Sequence, residues 1–199
     1  KKELPKGPAI SVSDGSVSQN RTFPDMLTNR TDEESFERLA ASELYIVDLS
    51  GKAELFKPSG MHMSERVSPD GNYILLTTLQ KPFSYIVPFQ RFPQRSAVYD
   101  LAGTEIKVVN EVPLNEVMPK GFEAVRKGKR NMDWRDDKPS TLYYAEALDG
   151  GDPAAKADFR DEIFLWDAPF VSAPVSLFKT RQRFGRMIWG DDRSAVAYD

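Results

Sequence analysis

The stretch that decides the fold lies in the first half of the chain and reads Ser68-Pro69-Asp70-Gly71-Asn72-Tyr73-Ile74-Leu75-Leu76-Thr77-Thr78-Leu79. Its first four residues predict a type I turn, because proline in the second position presets φ and glycine suits the fourth. The nearly continuous apolar run that follows predicts a strand that is covered on both faces. The stretch therefore indicates a hairpin inside a layered β structure.

The same unit, an apolar strand followed by an acidic turn and a second apolar strand, occurs three times. The copies occupy residues 66–79, 132–145 and 187–198. Simple blade repeats run about 40–50 residues, so the intervals leave room for four-stranded blades with long loops. Further strand patterns occur at 44–56, 97–109, 162–166 and 174–178. We predict an all-β fold, a partial β-propeller of about three antiparallel blades or blade portions, with an antiparallel sandwich as the alternative.

A helix is expected before the first strand. Thr31-Asp32-Glu33-Glu34 matches a capping box, and apolar residues that follow fall on one helical face. We predict a helix at 32–42 and a short turn near 24–27, which together form a helical insertion near 24–42. Residues 1–199 are then expected to be a fragment of one propeller domain, truncated at both ends. Its predicted parts are a linker or loop at 1–22, the helical insertion at 23–43 and the blades at 44–199.

Composition excludes several classes of partner. The formal net charge of −3 gives no electrostatic basis for binding nucleic acid or an acidic membrane. The basic cluster from Arg126 to Arg130 has no interleaved aromatic residues, so we predict a solvated loop there. The absence of cysteine removes disulfides, thiol nucleophiles and cysteine-based zinc sites.

Catalytic patterns are missing from the sequence. The single histidine, His62, falls in a predicted loop, and no serine lies in a G-x-S-x-G turn. Phosphate-binding motifs are absent, and turn chemistry explains the Asp149–Asp152 segment better than calcium binding does. A propeller glycosidase would use carboxylate pairs such as Asp136-Asp137 and Asp191-Asp192. Because these pairs lie in equivalent turns, we predict a structural role, and no catalytic, cofactor or metal residue in this chain.

One segment, residues 81–93, is unlike a plain connection between strands. It contains three prolines and several aromatic residues, and Arg91 lies between Phe89 and Phe92. A cation held by a stiff apolar loop suits a carboxylate ligand. We therefore predict that Arg91 and Tyr85 bind substrate. A rigid connection packed on the next blade is the alternative.

At this segment the sequence resembles the glutamyl-endopeptidase branch of the prolyl oligopeptidase family. The matching strings are Ser68-Pro69-Asp70, Pro82-Phe83-Ser84-Tyr85-Ile86-Val87-Pro88, Arg91-Phe92-Pro93, Val125-Arg126, Trp134-Arg135-x-Asp137-Lys138-Pro139-Ser140-Thr141-Leu142, Glu146-Ala147-Leu148-Asp149-Gly150-Gly151-Asp152, Arg160-Asp161 and Trp189-x-Asp191-Asp192. The resemblance implies a propeller stacked on an α/β-hydrolase domain, where the propeller filters access to a serine triad. That triad would lie beyond Asp199, so no catalytic residue is carried over.

The expected function is therefore that of a non-catalytic propeller region, which gates and positions peptide substrates for a hydrolase domain outside this chain. Expected partners are peptide substrates of the parent enzyme, the C-terminal α/β-hydrolase domain of the same protein, and further copies through open edge strands. The alternatives are a stand-alone propeller that binds a protein or glycan and a propeller glycosidase. The resemblance leaves the compartment open between export to the periplasm or beyond, the cytoplasm and a plastid.

Overall fold

The structure is a computed structural model that describes Phe23, residues 26–191 and residues 193–199. Strands make up 43% and helices 8% of it, which confirms the all-β class. The elements are α1 Arg30–Ala40, β1 Ser42–Val47, β2 Ala53–Gly60, β3 His62–Val67, β4 Tyr73–Leu79, a 3₁₀ turn Phe89–Arg91, β5 Gln94–Asp100, β6 Glu105–Val112, β7 Arg130–Trp134, β8 Thr141–Ala147, β9 Asp161–Asp167, β10 Val175–Thr180, β11 Arg186–Trp189 and β12 Ala195–Tyr198. The predicted linker at 1–22, part of the turn near 24–27, and Asp192 lie outside the described residues.

The strands form two four-stranded sheets flanked by two hairpins. One sheet has the order β3-β4-β5-β6 and the other has the order β10-β9-β8-β7, so neighbouring strands follow one another along the chain. All pairings are antiparallel, and β1-β2 and β11-β12 form the two hairpins. None of these sheets closes into a barrel within the described ranges. The arrangement is consistent with a partial propeller.

The three predicted copies of the repeat are the hairpins β3–β4, β7–β8 and β11–β12. In the first copy the amide of Gly71 donates to the carbonyl of Ser68 at 2.8 Å, which is the hydrogen bond of the predicted turn. Strand β4 has the bounds that the apolar run predicts, and Ile74, Leu75 and Leu76 are consecutive buried residues. The strand is therefore covered on both faces, as expected.

The sheets stack face to face. Because successive side chains of a strand point to opposite faces, neighbouring residues of β4 pack in different cores. Leu75 packs in the core between the two four-stranded sheets, together with Trp134 and Leu142. Its neighbour Leu76 faces the other way and packs near Phe56 of the hairpin β1-β2. On the far side of the second sheet, Tyr143, Ile163 and other residues pack on the hairpin β11-β12. Each four-stranded sheet is thus buried between two neighbours.

The predicted helix is present, but the predicted N-cap residue, Thr31, was wrong. Helix α1 begins at Arg30, and its N-cap is Asn29, whose side-chain oxygen accepts from the Asp32 amide at 3.0 Å. The Asp32 carboxylate in turn accepts from the Thr28 amide at 3.0 Å. The reciprocal pattern expected of Thr31 and Glu34 therefore occurs earlier in the chain, because asparagine satisfies free amides as well as threonine does. The prediction of a loop at His62 was also wrong, since this residue opens β3.

Candidate functional site

The connections between strands alternate between two ends of the sheets, because neighbouring strands are antiparallel. At one end, called the turn end, lie the connections that follow β1, β3, β5, β7, β9 and β11. At the other, called the loop end, lie α1 and the longer connections 80–93, 113–129 and 148–160, together with 181–185. Both predicted substrate-binding residues belong to the 80–93 connection. The loop end is therefore the candidate functional surface.

The 80–93 connection is built around aromatic side chains. Phe92 is buried, and its ring stacks on Phe83 with centroids 5.2 Å apart. Phe36 of α1 meets Phe83 edge to face at 5.3 Å. The buried Ser84 hydroxyl donates to Glu116 at 2.7 Å, which ties the connection to the 113–129 loop. The alternative interpretation of 81–93 as a packed connection thus describes part of its structure, since it packs on α1 and on the next loop.

The two predicted site residues lie in this connection but contact different neighbours. The Tyr85 hydroxyl donates to Glu33 of α1 at 2.9 Å, and this hydrogen bond raises the pKa of the tyrosine. The Arg91 guanidinium lies 5.2 Å from the ring centroid of Phe23. The Arg91 carbonyl accepts from the amide of Asn115 at 2.9 Å, which anchors its backbone. Tyr85 and Arg91 therefore sit on an ordered part of the loop end, and their role in substrate binding stays a prediction.

A buried network of charges at the loop end was not predicted from the sequence. The side chains of Asp149 and Asp161 have no exposed surface. Arg183 donates to Asp149 at 2.6 Å and to Asp161 at 3.1 Å, and Arg160 donates to Asp149 at 2.7 Å. Arg130 pairs with Asp161. Burial acts to raise the pKa of Asp149, but the hydrogen bonds from Arg160 and Arg183 outweigh it and lower that pKa. The Asp149 carboxylate is therefore held ionised in the interior.

The network shows that the basic cluster at 126–130 is not simply a solvated loop. Arg130 is buried at the start of β7, and the Lys129 ammonium lies 4.4 Å from the ring centroid of Trp166. Burial lowers the pKa of Lys129. The prediction was therefore wrong for these two residues, because the start of β7 brings Arg130 to Asp161 and the preceding Lys129 to Trp166. The pair Arg160-Asp161 and the Asp149 turn were recognisable strings in the sequence, but their mutual contact was not.

Two carboxylates at the turn end, those of Asp70 and Asp137, accept local hydrogen bonds. Asp70 accepts from the hydroxyls of Ser68 and Ser140, each at 2.6 Å. Desolvation acts to raise the pKa of Asp70, but hydrogen bonds from Ser140, Ser68 and Asn72 lower it to about 2. Asp137 accepts two hydrogen bonds from Arg135, at 2.9 and 2.6 Å. These contacts support the structural interpretation of the acidic turns over a glycosidase site.

The described residues contain neither a cluster of metal-binding side chains nor a membrane-spanning helix. Among them, no group of three or more histidine, cysteine, aspartate or glutamate side chains is placed to hold a metal ion. His62 lies near the carbonyl of Pro58, with 3.1 Å between its Nε2 atom and that oxygen. No helix in this part of the chain has the length and apolar character needed to cross a membrane.

The fold and the loop end define a class: an all-β protein of stacked, antiparallel four-stranded units with its elaborate loops on one side. Comparison with known proteins then identifies relatives of this chain. The chain is 34% identical to a probable chloroplastic glutamyl endopeptidase of Oryza sativa subsp. japonica, in an alignment 202 residues long that covers 100% of this chain and 22% of the relative. Over 199 residues, 98% of this chain and 21% of the relative, it is 35% identical to a probable chloroplastic glutamyl endopeptidase of Arabidopsis thaliana.

The resemblance to glutamyl endopeptidases that the sequence motifs indicate is therefore confirmed, since the chain is similar over its whole length to a segment of these relatives. It spans about a fifth of the length of the curated relatives it matches. No family model matches the chain, and no solved structure matches it significantly.

Proposed function

We propose that this chain is a non-catalytic propeller region of a serine peptidase of the prolyl oligopeptidase type, and that it positions peptide substrates for a separate hydrolase domain. The observation that carries the proposal is the end-to-end similarity to one segment of glutamyl endopeptidases. The two sheets of consecutive antiparallel strands support the propeller, since their strands follow the order of blades. The loop end supports substrate contact, because it combines exposed aromatic residues with basic side chains.

The test uses the full-length protein and compares two arginines. Arg91 lies at the loop end, whereas Arg193 is exposed at the turn end. We expect Arg91→Ala to raise the KM for acidic peptides several-fold with kcat nearly unchanged, because it removes a contact made equally in the ground and transition states. Arg193→Ala should leave both constants unchanged. An unchanged KM for Arg91→Ala would remove this residue from the proposal.

The competing functions make different predictions for the chain of 199 residues. On the peptidase proposal it cleaves neither peptide nor glycoside substrates. Glycoside hydrolysis that is lost in Asp137→Asn or in Asp191→Asn would favour the propeller glycosidase. If the full-length protein has no hydrolase domain and binds a glycan or a protein tightly, the stand-alone binding propeller is favoured.

Self-association belongs to the same proposal. All four residues of β12 are exposed, and Val196 is 57% exposed. An exposed edge strand is a template for pairing with another chain. We expect the sedimentation coefficient to rise with protein concentration, and Val196→Lys to suppress that rise. A monomer at all concentrations would contradict this part.

A further inference from the structure

Helix α1 is held to the rest of the molecule by few contacts. None of its residues is buried, and Leu39 is 85% exposed. Its apolar anchor is Phe36, whose ring centroid lies 5.3 Å from that of Phe83 and 6.0 Å from that of Phe92. An isolated helix of this length is marginal in water. The position of α1 therefore depends mainly on this anchor.

The surface beneath Phe36 is a preformed apolar groove. Its floor consists of the buried residues Leu79, Val87 and Phe92. Phe36 and Phe89 line two adjoining clefts, of about 250 and 320 Å³, on either side of the anchor. Removal of the Phe36 side chain would join these clefts into one groove. We expect the groove to keep its shape without α1, because its floor belongs to the sheet and to the 80–93 connection.

The polar contacts of α1 with the groove are exposed and weak. Lys81 donates to Glu37 at 2.7 Å, and both side chains are about half exposed. Tyr85 donates to Glu33 at 2.9 Å. An exposed ion pair such as Lys81–Glu37 contributes little to stability and is screened by salt. A competitor that supplies an apolar group and a carboxylate would therefore meet little resistance from α1.

We propose that this groove is a peptide-binding site, and that α1 occupies it in place of the peptide. Phe36 fills the apolar part, and the next residue, Glu37, pairs with Lys81. The ligand is then a peptide that presents a large apolar side chain directly followed by a carboxylate. This inference rests on the proposed function and deepens it, since it makes α1 an internal competitor of bound peptides.

The probe is a fluorescein-labelled peptide with the sequence of residues 33–39, Glu-Glu-Ser-Phe-Glu-Arg-Leu. Its binding to the whole chain and to variants is followed by fluorescence anisotropy. If the groove is open in about a tenth of the molecules, Phe36→Ala should tighten binding about tenfold by removing the competitor. Leu39→Ala, on the exposed side of the same helix, should bind like the unaltered chain. Equal affinities for all three proteins, or no binding, would overturn the inference.

Two further variants separate the role of charge from packing. Glu37→Gln weakens the attachment of α1 and should tighten peptide binding, whereas Lys81→Gln in the Phe36→Ala background should weaken it. Affinities that do not respond to Lys81 would contradict the proposed ligand chemistry.

A second measurement keeps the inference testable if Phe36→Ala does not fold. On the unaltered chain, saturating peptide should speed amide hydrogen exchange in residues 32–40 and leave β4 and β5 unchanged. Unchanged exchange in α1 would count against displacement.

The tests of this inference and of the proposed function can fail independently of each other. If Arg91→Ala raises KM in the full-length peptidase but the peptide does not bind the groove, only this inference fails. If the groove binds the peptide but the full-length protein cleaves no peptide, the peptidase assignment fails and the binding site stands.

Discussion

The turn at Asp70 and the buried charge network of the loop end are held together by different chemistry. At the turn end, Asp70 is an exposed residue, and its partners are hydroxyl and amide groups. At the loop end, the side chains of Asp149 and Asp161 are wholly buried and are matched by arginines. An exposed carboxylate that loses a partner is solvated by water, whereas a buried charge that loses its partner is left uncompensated. The turn at Asp70 and the buried network should therefore differ strongly in their tolerance to substitution.

The largest expected effect is at the buried network. Asp161→Asn should lower the free energy of unfolding by about 3–5 kcal/mol, because it leaves the buried Arg130 without its counter-charge and Arg183 with Asp149 alone. The matched control is Asp191→Asn, at an exposed position of the turn end, which should leave the free energy of unfolding nearly unchanged. Urea unfolding followed by tryptophan fluorescence measures both. Similar losses in the two variants would break the comparison between the ends.

A medium effect is expected at the boundaries between neighbouring sheets. The Trp134 indole donates to the Arg66 carbonyl at 2.9 Å, which joins β7 to β3 at the turn end. The Trp189 indole nitrogen is buried and has no hydrogen-bond partner among the described residues. Trp134→Phe should cost about 2 kcal/mol from one hydrogen bond and a small cavity. Trp189→Phe should cost less, since it removes no hydrogen bond of this structure, and thermal unfolding compares the two. A larger loss for Trp189→Phe would show that its indole bonds elsewhere in solution.

A smaller effect is expected at Asp70. Asp70→Asn should lower the free energy of unfolding by about 1 kcal/mol at neutral pH, because it weakens hydrogen bonds to an exposed charged acceptor. The folded pKa of Asp70 is about 2, below the usual value, so its stabilisation is present above about pH 4 and is lost as the pH falls towards 2. The variant should therefore depend less on pH in that window. Parallel curves of stability against pH for the two proteins would contradict this origin.

The smallest effect is expected where the loop end is exposed. Glu37→Gln removes the exposed ion pair with Lys81 and should change the free energy of unfolding only slightly. The hydrogen bond to Glu37 raises the pKa of Lys81, and high salt should abolish the difference between the two proteins. A loss comparable to that of Asp161→Asn would mean that α1 is more firmly attached than its contacts indicate. Denaturation in low and high salt provides the measurement.

The strands were predictable because their signals are local. The run from Tyr73 to Leu79 and the turn before it lie within a few residues, and the structure reproduces both. The cap of α1 was harder to place, because Asn29 and Thr31 are both competent caps and the sequence does not rank them. The charge network could not be predicted from the sequence, because Arg130 and Asp161 are far apart in the chain and are brought together only by the second sheet.

The sequence by itself determined the all-β class, the three hairpins with acidic turns, the relationship to glutamyl endopeptidases and the absence of a G-x-S-x-G turn. These features depend on short patterns and on residue identity, which folding does not alter. Only the tertiary structure decided that Asp149 and Asp161 are buried charges, and that Phe36 covers a groove at the loop end. Burial depends on which elements meet in space, and those meetings are set by the stacking of whole sheets.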